Sequence, residues 1–152
     1  MTALDFSIAS VESVRQKAKD AHIDSIHILQ HDLSKKLPFP NGSFDAVYAH
    51  LSIHYFDDAT THRIIAEIGR VLKPGGLLCV KCKSVDDPLY GNGEEVGPDM
   101  FRTEHVRHFF RKEYMQSLLD DFKILSVRRV SYAYDKHRSA FIEAIARKKS
   151  GR

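Results

Sequence analysis

Residues 57–83 read DDATTHRIIAEIGRVLKPGGLLCVKCK, and this stretch decides how the rest of the chain is read. Ile64, Ile65, Ile68, Val71 and Leu72 recur at steps of three and four, which draws one apolar face along a helix. Lys73 suits the last turn, and Pro74, Gly75 and Gly76 are expected to end the helix. Leu77 to Lys83 then reads as a strand. Upstream, Phe44 to Ala49 (FDAVYA) is a second, buried strand, reached through a loop rich in Pro38, Pro40, Asn41 and Gly42. Before that loop, Ile26 to Leu29 has strand character and ends at His31, Asp32 and Leu33. Ile8, Val11, Val14, Ala18 and Ala21 mark a helix that Ser7 or Ser10 would cap, and Met1 to Phe6 is extended.

Downstream of Lys83 comes a polar loop with Pro88, Gly91, Gly93, Gly97 and Pro98. Tyr114, Met115, Leu118, Leu119 and Phe122 mark another helix. The chain closes with two strands, Ile124 to Tyr132 and Ala140 to Ala146, joined near Asp135 to Ser139 as an antiparallel hairpin. Alternating strands and helices predict an α/β fold with a mostly parallel sheet. The link from Asp32 to Ser43 must hold one crossover, with room for a short helix at most.

The chain has 152 residues, 43% hydrophobic and 28% charged, which suits one globular domain. No apolar run approaches the ~20 residues of a membrane span. The start, MTALDFSIAS, has no basic segment and no long apolar stretch, which argues against a secretory signal. Two cysteines do not make a disulfide framework, so the protein is read as cytoplasmic. Six basic residues and one acid between Lys136 and Arg152 give that end +5, which leaves −2 for residues 1–135 out of a net +3. A slightly acidic body argues against nucleic acid, and the basic end is read as a solvated terminus.

In an open α/β sheet, ligands bind beyond the carboxyl ends of the strands. Asp5 and Asp32 lie at two such ends. An acid there can accept hydrogen bonds from both ribose hydroxyls, and a second acid can accept from an exocyclic amine. Aspartates also serve as caps and turn residues.

The runs LPFPNGSFDAVYAHLSIHYF and IIAEIGRVLKPGGLL resemble a class I S-adenosylmethionine-dependent methyltransferase, of the small-molecule subgroup called type 11. The resemblance implies a Rossmann-like sheet and methyl transfer from S-adenosylmethionine to a small-molecule acceptor. It implies that Asp5 holds the cofactor ribose, with Phe6 near the adenine and Asp32 and the Leu33 amide at the adenine edge. Ala49, His50 and Leu51 would lie near the methionine end. The family's first strand and glycine-rich loop would precede Asp5, and no G-x-G-x-G occurs in the chain. The resemblance therefore implies an N-terminally truncated methyltransferase domain over residues 1–148, a basic tail at 149–152, and two unpaired inner strand edges.

His54 and Tyr55 follow the fourth-strand motif. His54 is the candidate base for an acceptor that carries a proton, and Tyr55 a candidate substrate contact. The cluster HVRHFF at 105–110 reads either as a staple and caps before a helix or as a substrate lid. In the second reading Arg107 would hold an acidic substrate group, with His108 beside it. Lys81 and Lys83 flank this region and are read as exposed at a strand end. Cys79 and Cys82 would face opposite sides of a strand as small apolar residues, and no metal is expected from them or from the pairs His50/His54 and His27/His31. Two alternatives remain open. One is a nicotinamide-dependent oxidoreductase remnant. The other is a non-catalytic module whose open edges pair with a second copy or a strand-supplying partner.

Overall fold

The computed structural model describes residues 1–134 and 137–150. Residues 135 and 136, inside the expected hairpin turn, and 151 and 152, in the expected basic tail, lie outside the described residues. The chain folds as two compact units, Met1–Leu37 and the part from Pro38 onward. No helix among the described residues is long and apolar enough to cross a membrane.

The first unit holds β1 (Thr2–Asp5), α1 (Ile8–Asp20) and β2 (His27–Gln30). The strands pair in parallel with Asp5 opposite Gln30. Ser7 caps α1, its hydroxyl accepting the Ser10 N–H at 3.3 Å. The helix stops where His22 turns through φ 54°. Arg15 ties α1 to β2, donating to the Ile28 carbonyl at 2.9 Å.

The second unit holds β3 (Phe44–His50), a 3-10 turn (Ile53–Tyr55), α2 (Asp58–Val71) and β4 (Leu72–Lys83). These are followed by β5 (Glu94–Gly97), β6 (Met100–Arg102), β7 (Val106–His108), α3 (Lys112–Leu118), β8 (Phe122–Tyr134) and β9 (His137–Lys148). One sheet runs β3-β4-β9-β8 and another β5-β6-β7. β3 and β4 are parallel, β4–β9 and β8–β9 antiparallel. The result is an α/β fold with mixed sheets that ends in the expected hairpin. Along β4, Leu78, Val80 and Cys82 are buried, opposite Ala146, Ala144 and Ile142 of β9. The alternation places Cys79 and Cys82 on opposite faces, as a strand must. The apolar face of α2, with Ile64, Ile65, Ile68 and Val71, joins Met115, Leu118 and Leu119 in the core.

Four expectations need correction. First, α2 ends at Val71, because Leu72 is already extended and paired with Phe44. The pairing resumes at Ala46 with Leu77, so residues 73–76 bulge out of the strand instead of ending the helix. Lys73 leaves the helix and pairs with Asp45 at 2.8 Å. Second, the polar loop after Lys83 folds into the sheet β5-β6-β7, whose strands are too short to show a period. HVRHFF is accordingly a strand that enters the core at Phe109 and Phe110, and α3 stops at Leu118, leaving Phe122 to open β8. Third, the strand Phe44 to Ala49 is not buried along its length: only Ala49 is buried, and Asp45, Ala46 and Tyr48 are exposed, while the link from Asp32 to Ser43 is turns without a helix, within the short helix allowed at most. Fourth, part of the basic end belongs to the sheet. Arg138 and Arg147 belong to β9, Lys148 donates to the Leu72 carbonyl at 2.7 Å, and Lys149 donates to that of Asp120 at 2.8 Å.

Lys83 also departs from expectation. Its side chain is 14% exposed and its ammonium donates to the Asp87 carboxylate, 1% exposed, at 2.7 Å. Asp87 further accepts the backbone N–H of Ala140 at 2.9 Å and of Leu89 at 3.0 Å. Burial pushes this carboxyl up, but those three donors outweigh it and hold the group below its ordinary value.

Two outcomes follow for stability. Gly76 has no room for a side chain: a Cβ there would lie 2.9 Å from the Lys73 carbonyl and 3.0 Å from that of Asp45. Gly76→Ala should cost about 1–3 kcal/mol through overpacking. Gly75, at φ +77° in open space, should cost only the left-handed penalty of about 1–2 kcal/mol. Denaturant midpoints of the two variants check the pair. Asp87→Ala should cost about 3–5 kcal/mol, because it strands a buried ammonium. A depressed carboxyl stabilises fully above its unfolded value of about 3.9 and loses that contribution as pH falls below it. Thermal melts of Asp87→Asn should therefore lose less stability than wild type between pH 4 and pH 2, windows set by that reference value of about 3.9.

Candidate functional site

In the first unit the ladder runs one bond past β1, with the His31 N–H donating to the Asp5 carbonyl at 2.9 Å. This sets Asp5 and Asp32 at the carboxyl ends of adjacent parallel strands. The Asp5 carboxylate accepts the Ser7 N–H at 2.8 Å, so the acid and the helix cap are one local device. Asp32 accepts the Ser34 N–H at 2.8 Å, and the Ser34 hydroxyl and amide together hold its carboxyl below the usual value. Phe6 is 73% exposed, its backbone carbonyl held by the Gln30 side chain at 3.1 Å. Leu33 is partly buried, and His31 Nε2 is buried without a hydrogen-bond partner. Acceptor carboxylates beside an exposed ring fit a nucleoside, whose hydroxyls and amine are donors.

In the second unit Ala49 is buried and His50 is exposed at the end of β3. Leu51 follows at φ 53°, donating its N–H to the Lys81 carbonyl at 2.9 Å. A left-handed leucine costs about 1–2 kcal/mol, a strain that a loop without special demands would shed. The turn directs the chain into Ile53–Tyr55.

His54 is 1% exposed, and its Nδ1 accepts the Lys83 N–H at 3.3 Å. Burial, then the charges of Arg107 and Lys83, push its pKa down to about 3. Such a ring stays neutral and has little proton affinity, which weighs against the candidate base role and for a packing role, as a buried acceptor that fixes β4. Tyr55 is 42% exposed, its ring 4.5 Å from that of His54 and 5.0 Å from that of His105. The Arg107 guanidinium carbon stands 5.8 Å from the centre of the Tyr55 ring, and Nη2 lies 3.2 Å from His105 Nε2. The fold thus brings Tyr55 and Arg107 together and adds His105. His108 sits on the opposite face of β7, buried, with its ring 4.9 Å from Phe110 and 4.6 Å from Tyr114. Strand alternation turns it away from Arg107, its neighbour in sequence. His105, in the bend just before β7, reaches Arg107 without a strand period to signal it. No sequence signal marks the Leu51 backbone.

Residues 1–80 match the methyltransferase domain family of type 11. The chain belongs to that family. A demethylmenaquinone methyltransferase from Listeria welshimeri is 32% identical over 117 residues, which is 77% of this chain and 47% of that protein. The chain spans about half the length of the curated relatives it matches. A crystal structure of an S-adenosylmethionine-dependent methyltransferase from Methanosarcina mazei matches with TM-score 0.80 at 20% identity, covering 99% of this chain and 82% of that one. The 1,6-didemethyltoxoflavin-N1-methyltransferase of Burkholderia thailandensis, solved with its acceptor and S-adenosylhomocysteine, gives TM-score 0.72 at 17% identity, covering 98% and 61%. These structural matches establish the Rossmann-like methyltransferase fold. None of these matches supports the oxidoreductase alternative.

The buried His54 makes a direct prediction. Its folded pKa of about 3 lies below the reference value of 6.5, so its contribution to stability is full above that value and fades as pH falls. Proton NMR should show the His54 ring resonance unchanged from pH 8 down to pH 5, about two units above its folded midpoint. A midpoint above pH 5 would contradict its burial.

Proposed function

We propose that this protein transfers a methyl group from S-adenosylmethionine to a small-molecule acceptor. The observation that carries the reading is the pair of carboxylates, Asp5 and Asp32, at the ends of adjacent parallel strands in a methyltransferase-family chain. Asp5 accepts from the ribose hydroxyls of the cofactor and Asp32 from the adenine amine, with Phe6 and the Leu33 amide completing the nucleoside end. Ala49, His50 and Leu51 are assigned to the methionine end by the family resemblance alone. The cofactor supplies a methyl group already activated on a sulfonium. The protein's own task is to orient the acceptor in line and keep water out. Tyr55 and Arg107 are the acceptor contacts, and no side-chain base is invoked.

The free cysteines Cys79 and Cys82 suit a cytoplasmic, reducing setting. Among the described residues β1 pairs only with β2, and β3 pairs on one side only, with β4. We read those edges as places where a further strand, from a second copy or another chain, would add.

Calorimetric titration with S-adenosylhomocysteine tests the cofactor site. Wild type should bind saturably. Asp5→Ala should weaken binding about 10- to 100-fold, the worth of hydrogen bonds to a charged group. A folded wild-type chain that takes up no ligand overturns the reading.

A further inference from the structure

Among the described residues the Lys83 charge near His54 is matched by Asp87, and that of Arg107, beside Tyr55, is matched by no carboxylate. Among the described residues Arg70, Arg111 and Arg128 have ion-pair partners, and Arg107 has none. Arg107 is partly buried, and its Nε is buried without any acceptor. A buried guanidinium N–H left unpaired costs free energy that an oxyanion would recover. Nη2 already faces His105 Nε2 at 3.2 Å, which adds a second polar group from the bend before β7. The guanidinium lies over the Tyr55 ring, and that ring is 42% exposed, so one planar group can rest against it. His54, packed under Tyr55, is held neutral in part by the charges of Arg107, Lys83 and His105.

We propose that Arg107, Tyr55 and His105 form a cradle for a planar acceptor that enters as an oxyanion, such as an aromatic carboxylate or phenolate. Arg107 binds the oxyanion through its guanidinium, Tyr55 flanks the ring, and His105 fixes the guanidinium. This rests on the methyltransferase reading and goes beyond it in naming the charge state of the acceptor. An acceptor already ionised has no proton to give up at the attacking oxygen, which accords with a His54 that cannot take one.

The test uses 2-naphthoate and its neutral analogue 2-naphthamide on the full chain. The protein has no tryptophan, so naphthyl fluorescence reads binding directly. Wild type should bind the carboxylate at least tenfold more tightly than the amide. Arg107→Gln should lose that preference, Arg107→Lys should keep part of it, and Tyr55→Leu should weaken both ligands. Circular dichroism checks each variant, and the Lys variant decides if the Gln variant does not fold. Equal affinity for both ligands, or no binding of either, overturns the cradle, and so does a carboxylate preference that survives in folded Arg107→Gln. S-adenosylhomocysteine titrated in parallel on wild type separates the two ideas. Its binding without a carboxylate preference leaves the methyltransferase reading and removes the cradle. Carboxylate preference without its binding does the reverse.

Discussion

The buried carboxylate of Asp87 is the constraint on which the second unit depends. It accepts from the Lys83 ammonium, the Ala140 amide and the Leu89 amide. Through those bonds the carboxyl end of β4 is fastened to β9 and to the segment that leaves the sheet. Lys83 also donates to the Ser139 hydroxyl at 3.1 Å. Its backbone N–H supports His54, and its carbonyl accepts from Phe110 at 2.7 Å. The strand end, the 3-10 turn and the entry to α3 thus share one ion pair. A buried pair of this kind adds little net stability compared with apolar packing, but removing one partner is costly. It acts as a register device in which three segments meet in one arrangement only.

The two units present opposite electrostatics. The first offers acceptors, the Asp5 and Asp32 carboxylates at neighbouring strand ends. The second holds Arg107, His105 and the Lys83–Asp87 pair around a neutral, buried imidazole. A nucleoside is rich in donors and suits the first. An ionised acceptor suits the second. The strained Leu51 backbone lies where β3 gives way to the Tyr55 turn, and the Lys81 carbonyl holds it there. Strain at such a point persists only where the surrounding bonds over-determine the path.

Much of the fold was legible because it rests on local rules. The Ser7 cap, the helical spacing from Ile8 to Ala18 and from Ile64 to Val71, and the strand FDAVYA each express a period or a cap in neighbouring residues. The LKPGGLL segment was legible as a break and misread in kind. Pro74 and the two glycines signal a turn equally well whether it ends a helix or bulges from a strand. Only the pairing of Leu72 with Phe44 distinguishes the two. The sheet β5-β6-β7 was illegible, since strands of three or four residues are too short to show a pattern.

The sequence by itself determined the α/β class, the family, and Asp5 and Asp32 as strand-end acids, because periodicity, caps and motif order are properties of adjacent residues. Tertiary structure alone decided the state of His54, the company of Arg107 and the burial of Lys83 with Asp87. Burial and charge depend on segments far apart in the chain: Arg107 stands 52 positions after Tyr55, and Ala140 stands 53 after Asp87. Proton affinity is set by solvent exclusion and by the charges that surround a group, and neither can be read from its neighbours along the chain.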